Sequence, residues 1–162
     1  MLTSWHGLKN DSTIVVMSNN EDRYLQLVTE TRERWLARPK EWGRPRVVAP
    51  RRSTPLHIWQ KERLPRWETL DTFNGALGYK LTVIIDHDDY GRTPVMPESS
   101  KITKEIFRQF NLSGMNQKKL CLASRINRSS IYSYAIGRSH PLPLTAIRIF
   151  DVLGCDLSYH FD

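Results

Sequence analysis

Residues Arg128-Ser129-Ser130-Ile131-Tyr132-Ser133 gather a guanidinium, three hydroxyls and a phenol around one apolar side chain. A guanidinium is a rigid fork of N–H donors that matches paired acceptors, and a hydroxyl donates or accepts as its partner requires. That is recognition chemistry. Catalysis would need a base beside a hydroxyl, and the chain has no nucleophile motif, Gly-rich phosphate loop or HExxH segment. Upstream, Gln117-Lys118-Lys119 adds an amide and two ammonium groups, which suit an anionic partner.

Two short helices would position these groups. Asn116 is placed to cap the first and Asn127 the second, because an Asn side chain accepts from the N–H groups a helix leaves open in its first turn. Leu120, Ala123, Ile126, Ile131, Tyr134 and Ala135 are expected to face inward, leaving Arg128, Ser129, Ser130, Tyr132 and Ser133 outward. A preceding helix is predicted from a Ser100 cap to about Leu112, with Ile102, Ile106, Phe107 and Phe110 on one face and Ser113-Gly114 as its stop. Gly137 falls where the left-handed residue after a helix belongs. A fourth helix covers roughly Leu144 to Leu153, Gly154 ends it, and Asp156 to Phe161 alternates like a short strand. Two helices joined by a tight turn can seat one in the major groove of DNA while the other meets phosphates.

The span from about Ser100 to Asp162 resembles the Cro/C1-type helix-turn-helix family. Gln117, Leu120, Ala123, Ile126, Arg128-Ser129-Ser130-Ile131, Gly137-Arg138, Pro141 and Val152-Leu153-Gly154 carry the resemblance. It implies a helical bundle that binds double-stranded DNA, usually as a homodimer, in a regulatory rather than enzymatic role. It implies base contacts from Arg128, Ser129, Ser130, Tyr132 and Ser133, and phosphate contacts from Gln117 and Arg138. Lys118 and Lys119 would add phosphate affinity without sequence information. Two positions depart from the family pattern. Arg125 stands where the turn often has glycine, so a side chain with a Cβ must adopt positive φ. Ala135-Ile136 replaces the acidic residue common before the closing glycine.

The net charge of +7 suits the same kind of partner. Between Arg32 and Arg66 eleven cations face three carboxylates, Glu33, Glu41 and Glu62, an excess of +8 that exceeds the excess of the whole chain. Arg44, Arg46, Arg51, Arg52, His57 and Lys61 form a candidate second basic surface there. Leu64 to Val83 matches His140 to Tyr159 at a constant offset of 76, with Pro65 on Pro141, Thr69 on Thr145, Leu77-Gly78 on Leu153-Gly154 and Leu81 on Leu157. Thr54 to Trp59 matches Ser129 to Tyr134 at an offset of 75. The first copy is degenerate, because Pro45 falls opposite Leu120 and proline breaks a short helix. Trp59 and Trp67 read as core residues. Glu21 to Ala37 reads as a further helix. Thr13 to Met17 and Leu81 to Ile85 have strand character. They pair with each other, or Leu81 to Ile85 pairs across a dimer axis, and both readings stay open.

The expected fold is mainly α: two tandem helix-turn-helix-type domains with a few short strands. Residues 1–88 form a degenerate N-terminal domain, 89–99 a linker marked by Gly91, Pro94 and Pro97, and 100–162 the C-terminal domain. Asp86-His87-Asp88-Asp89 is the one cluster with metal-like chemistry, and a solvated turn is the better reading. A nuclease using those residues is the enzymatic alternative; no cofactor, metal or catalytic residue is assigned. Cys121 and Cys155 lack zinc spacing and read as buried free thiols on helix faces of a cytoplasmic protein. No apolar run approaches the roughly 20 residues of a membrane span. These features point to a sequence-specific transcriptional regulator, a repressor or repressor-activator of a phage or mobile element. An antiactivator or antitoxin that binds a protein partner through its N-terminal domain is the alternative.

Overall fold

The computed structural model describes residues 18–39 and 64–162. In order along the chain these form α1 (Asn19–Leu36), α2 (Trp67–Ala76), β1 (Leu81–His87), β2 (Gly91–Val95), α3 (Ser99–Ser113), α4 (Gln117–Ser124), α5 (Arg128–Ala135), α6 (Pro143–Val152) and β3 (Cys155–Phe161). The fold is mainly helical, with one small sheet in the order β2-β1-β3. Thr13 to Met17, Arg44 to Pro50, the second basic surface and Trp59 lie outside the described residues.

Local signals account for most helix boundaries. The Ser18 hydroxyl accepts from the Glu21 N–H at 3.0 Å to open α1, and Glu21 and Asp22 stand in its positively polarised first turn. Tyr24, Leu27, Val28, Thr31 and Trp35 recur at helical spacing and are buried. The stop after α3 is Gly114 at φ 69°, as the sequence suggests. The start of α3 is not local. It begins at Ser99 and Ser100 does not cap it. Instead the Glu68 carboxylate of α2 accepts from the Ser99 N–H at 2.6 Å and from its hydroxyl at 2.9 Å. An anion at a helix N-terminus meets both the open N–H groups and the helix dipole.

Strand pairing takes neither of the routes left open by the sequence. β1 pairs antiparallel with β2 (Val83 opposite Val95) and with β3 (Val83 opposite Tyr159). Residues 89–99, which read as a linker, contain the end of a turn, all of β2 and the first residue of α3. Pro94 is tolerated there because β2 lies at the sheet edge.

One core runs through both halves of the chain. Tyr24, Trp35, Trp67 and Phe73 share it with Ile102, Leu120, Ile131, Ile149, Phe150 and Leu157. Trp67 is fully buried, edge-on to Tyr24 at 5.0 Å and tilted against Tyr159 at 6.1 Å. The Tyr24 hydroxyl donates to the Pro65 carbonyl at 2.6 Å. Burial pushes both the Tyr24 and Tyr159 phenols up from their ordinary range, so they stay neutral.

Asn20 is buried and joins α1 to α6 and β3. Its amide donates to Asp151 at 2.7 Å and to the Cys155 carbonyl at 2.8 Å, and its oxygen accepts from the Leu157 N–H at 2.8 Å. Burial raises the pKa of the Asp151 carboxyl, against hydrogen bonds from Ser18 and Asn20 that lower it. A raised folded-state value means the native chain holds the proton more tightly. That contribution to stability is full below the ordinary carboxyl range and is lost as pH rises through the folded-state value. Asp151→Asn keeps an acceptor for Asn20 and removes the partly desolvated charge. It is expected to raise Tm near neutral pH and to lose that advantage in acid; thermal melts across that pH range measure it.

Candidate nucleic-acid interface

Two short helices are held by one cap each. The Asn116 side chain accepts from the Lys119 N–H at 2.8 Å, and Asn127 accepts from the Ser130 N–H at 2.8 Å. Both Asn residues adopt extended backbone, as an N-cap requires. The chain turns between them at Arg125, with φ 59° and ψ 37°. This is the positive-φ residue that the sequence requires, and among the described residues it is the one non-glycine there. Beyond it the Ile126 N–H returns to the Cys121 carbonyl at 3.3 Å and closes the end of α4.

Leu120, Ile126 and Ile131 are buried and anchor the pair to the core. Two inward assignments are corrected. Ala123 is exposed, and Ser124 is buried in its place. The Ser124 hydroxyl donates to the Leu120 carbonyl at 2.6 Å, so a serine enters the interior without an unpaired polar group. Ala135 is also exposed; Ile131 and half-buried Tyr134 hold α5 to the body. On so short a helix two inward residues suffice.

Most of the expected recognition residues are open to solvent. Lys118, Arg128, Ser129, Tyr132 and Arg138 are exposed, while Gln117, Ser130 and Ser133 are half-buried. Tyr132 is 56% exposed, so its ring is available for contact. The Ser129 hydroxyl donates to the Asn127 side chain at 2.9 Å, so its proton is committed and it offers outward only an acceptor. Arg138 follows Gly137, whose φ is 77°, and its N–H bonds back to the Ser133 carbonyl at 2.9 Å. The loop is pinned from the far side, where His140 Nδ1 and the Thr103 hydroxyl are 3.0 Å apart.

Electrostatics favour an anion along this face. From Ile106 to Phe150 the chain contains no carboxylate and seven cations; Arg108 on α3 is paired with Glu105, which leaves Lys118, Lys119, Arg125, Arg128, Arg138 and Arg148. That acid-free run is legible in the sequence and singles out Arg125, which composition alone passes over. Arg125 is exposed at the turn between the two helices. The first-turn N–H groups of α4 and α5 lie beside these cations and add to the positive field.

Residues 106–160 match the family model described as helix-turn-helix. The C-terminal segment is a helix-turn-helix domain of the Cro/C1 type. No curated protein and no solved structure matches the chain. The match covers α4, the Arg125 turn, α5, α6 and nearly all of β3. A helix-turn-helix domain of this type belongs to DNA-binding regulators. Its second helix is α5, and the exposed groups on α5 are those a major groove can accept.

Other candidate chemistry resolves differently. His87 Nδ1 accepts from the Asp89 N–H at 3.0 Å and its ring stacks on Tyr90 at 4.3 Å, which builds the tip of the β1–β2 hairpin. Among the described residues no group of acidic, His or Cys side chains is placed to hold a metal. Both thiols are free, but Cys155 belongs to β3 and not to a helix. Burial, with Glu105 and Asp156 nearby, pushes its thiol up to about 12, so it is unreactive. No described helix is long and apolar enough to cross a membrane.

Proposed function

We propose that the chain is a sequence-specific DNA-binding transcriptional regulator that reads the major groove through α5. One observation carries this reading. α4, α5 and the turns that follow them present exposed Lys118, Lys119, Arg125, Arg128 and Arg138 without an acidic residue, on helices held rigid by Asn116 and Asn127. In this reading Arg128 and Tyr132 meet base edges, and Ser129 accepts from a base amino group. Gln117, Lys118, Arg125 and Arg138 meet phosphates. Ser130 and Ser133 lie on the flank of α5 and contribute where the groove wall approaches. Occupying a promoter would exclude other proteins from it, so repression is the simplest regulatory outcome.

The test is a footprint on the DNA surrounding the gene, compared with random duplex of equal length. A discrete protected site whose affinity falls with salt supports the reading; equal binding to both DNAs rejects it. Lys118→Ala should lower affinity for every sequence alike and reduce the slope of log K against log salt by about 1.

Arg125→Gly separates function from folding. A left-handed residue with a Cβ costs on the order of 1–2 kcal/mol, which glycine relieves in part while adding entropy to the unfolded chain. The variant should gain about 0.5–1 kcal/mol in a urea melt yet bind DNA more weakly with a shallower salt dependence. Unchanged affinity would remove Arg125 from the phosphate contacts.

A further inference from the structure

The described end of the first copy, residues 67–85, meets its counterpart, residues 143–161, across an internal two-fold axis. Residue n matches residue n + 76, so Trp67–Ala76 falls on Pro143–Val152, and both spans are helices, α2 and α6. Each helix ends alike, with Leu77 at φ −82° and Leu153 at φ −81°, followed by Gly78 and Gly154 at positive φ. Strand register obeys the same relation. Leu81 pairs with Phe161 and Ile85 with Leu157; Leu157 is the counterpart of Leu81, and Phe161 that of Ile85. Each pair therefore maps onto the other. At the centre Val83 pairs with its own counterpart, Tyr159, so the axis passes between them. This is an isologous contact made within one chain.

Both outer edges of the sheet are closed to a further strand. Lys80 and Asp162 exchange both backbone hydrogen bonds at 3.0 Å, and antiparallel alternation then turns the odd-numbered residues of β3 outward. At Cys155 and Leu157 those outward groups are taken. Asn20 holds the Cys155 carbonyl and the Leu157 N–H, and the Arg23 guanidinium donates to the Leu157 carbonyl at 3.0 Å. Further along, the Arg34 guanidinium lies 4.4 Å from the Phe161 ring centre. From Asn20 to Arg34 a helix advances roughly 21 Å, and from Cys155 to Phe161 a strand advances roughly 20 Å, so α1 shields β3 from end to end. On the other edge the same alternation turns Arg92 and Pro94 of β2 outward. Proline has no N–H to offer, and a charged neighbour also deters pairing.

We infer that one chain is the whole regulator: the internal two-fold takes the place of a second subunit, and a single chain occupies a DNA site that lacks an inverted repeat. The half of this concerning DNA rests on the function proposed above; the half concerning assembly does not. The inverted repeat is absent because the two copies differ where they would read. Ser129, Ser130, Tyr132 and Ser133 in the second copy align with Thr54, Pro55, His57 and Ile58 in the first.

The test uses the full chain. Light scattering on the free protein at micromolar concentration should give 18.9 kDa; twice that mass overturns the inference. Selection from a random duplex library, followed by the mass of the complex on the winning sequence, should give one chain per duplex and a motif without dyad symmetry. Two chains per duplex, or half-sites repeated in inverted order about 10–10.5 base pairs apart, overturns it. Failure to enrich any sequence rejects the DNA reading and the single-site claim with it, while the mass of the free chain still decides whether the internal two-fold replaces a partner.

Discussion

Trp67→Ala is expected to cost about 3–5 kcal/mol and to melt the helix-turn-helix together with the N-terminal elements. Trp67 is fully buried against Tyr24 and Tyr159, one from α1 and one from β3. Removing the indole leaves a cavity between two elements that are remote in sequence. The same core continues to Leu120 and Ile131 beneath the recognition surface, so a loss at Trp67 reaches α4 and α5 without touching them. With a total stability of about 5–15 kcal/mol for a domain, such a loss is a large fraction of what is available. Urea unfolding followed by circular dichroism and tyrosine fluorescence should show one shifted transition. Two separated transitions, with the C-terminal one unmoved, would mean that the halves are independent. DNA affinity measured well below the new midpoint should be close to wild type, because no group on α5 has changed.

Arg128→Ala is expected to give the complementary result, with folding unaltered and discrimination lost. Arg128 is exposed in the first turn of α5, so its removal leaves no cavity and strands no buried partner. A guanidinium that pairs with guanine O6 and N7 contributes about 1–3 kcal/mol of preference over the wrong base. The variant should bind its preferred and mutated sites with affinities up to roughly a hundredfold closer than wild type does, at matched salt. A uniform drop on all sequences would place Arg128 on phosphate instead. Read together with Lys118→Ala, the pair separates base reading from backbone attraction, because only a base contact changes the ranking of sequences.

The two results bear on how the chain is built. A helix of eight residues such as α5 is too short to be stable alone. Its rigidity comes from Asn127 at one end, Gly137 at the other and Ile131 beneath. Rigid placement is what lets a few exposed side chains discriminate, since a loose helix would spend binding energy on ordering itself.

Sequence alone determined what depends on neighbours a few residues apart. The Asn116 and Asn127 caps, the left-handed turns at Arg125, Gly114, Gly137 and Gly154, and the outward set on α5 all follow from local hydrogen bonding and helical period. The duplication behind the internal two-fold was legible too, as a constant offset. Tertiary structure alone decided the rest. Glu68 replaces Ser100 at the start of α3, Ser124 displaces Ala123 from the interior, and residues read as a linker supply β2. Above all, it decided that β1 pairs with β3, its own counterpart 76 residues further along the chain, and that Asn20 closes the edge behind it. A backbone N–H looks the same whether its acceptor is four residues away or more than a hundred, so no local pattern of side chains names the partner; only the packed core, by excluding water from the alternatives, selects it.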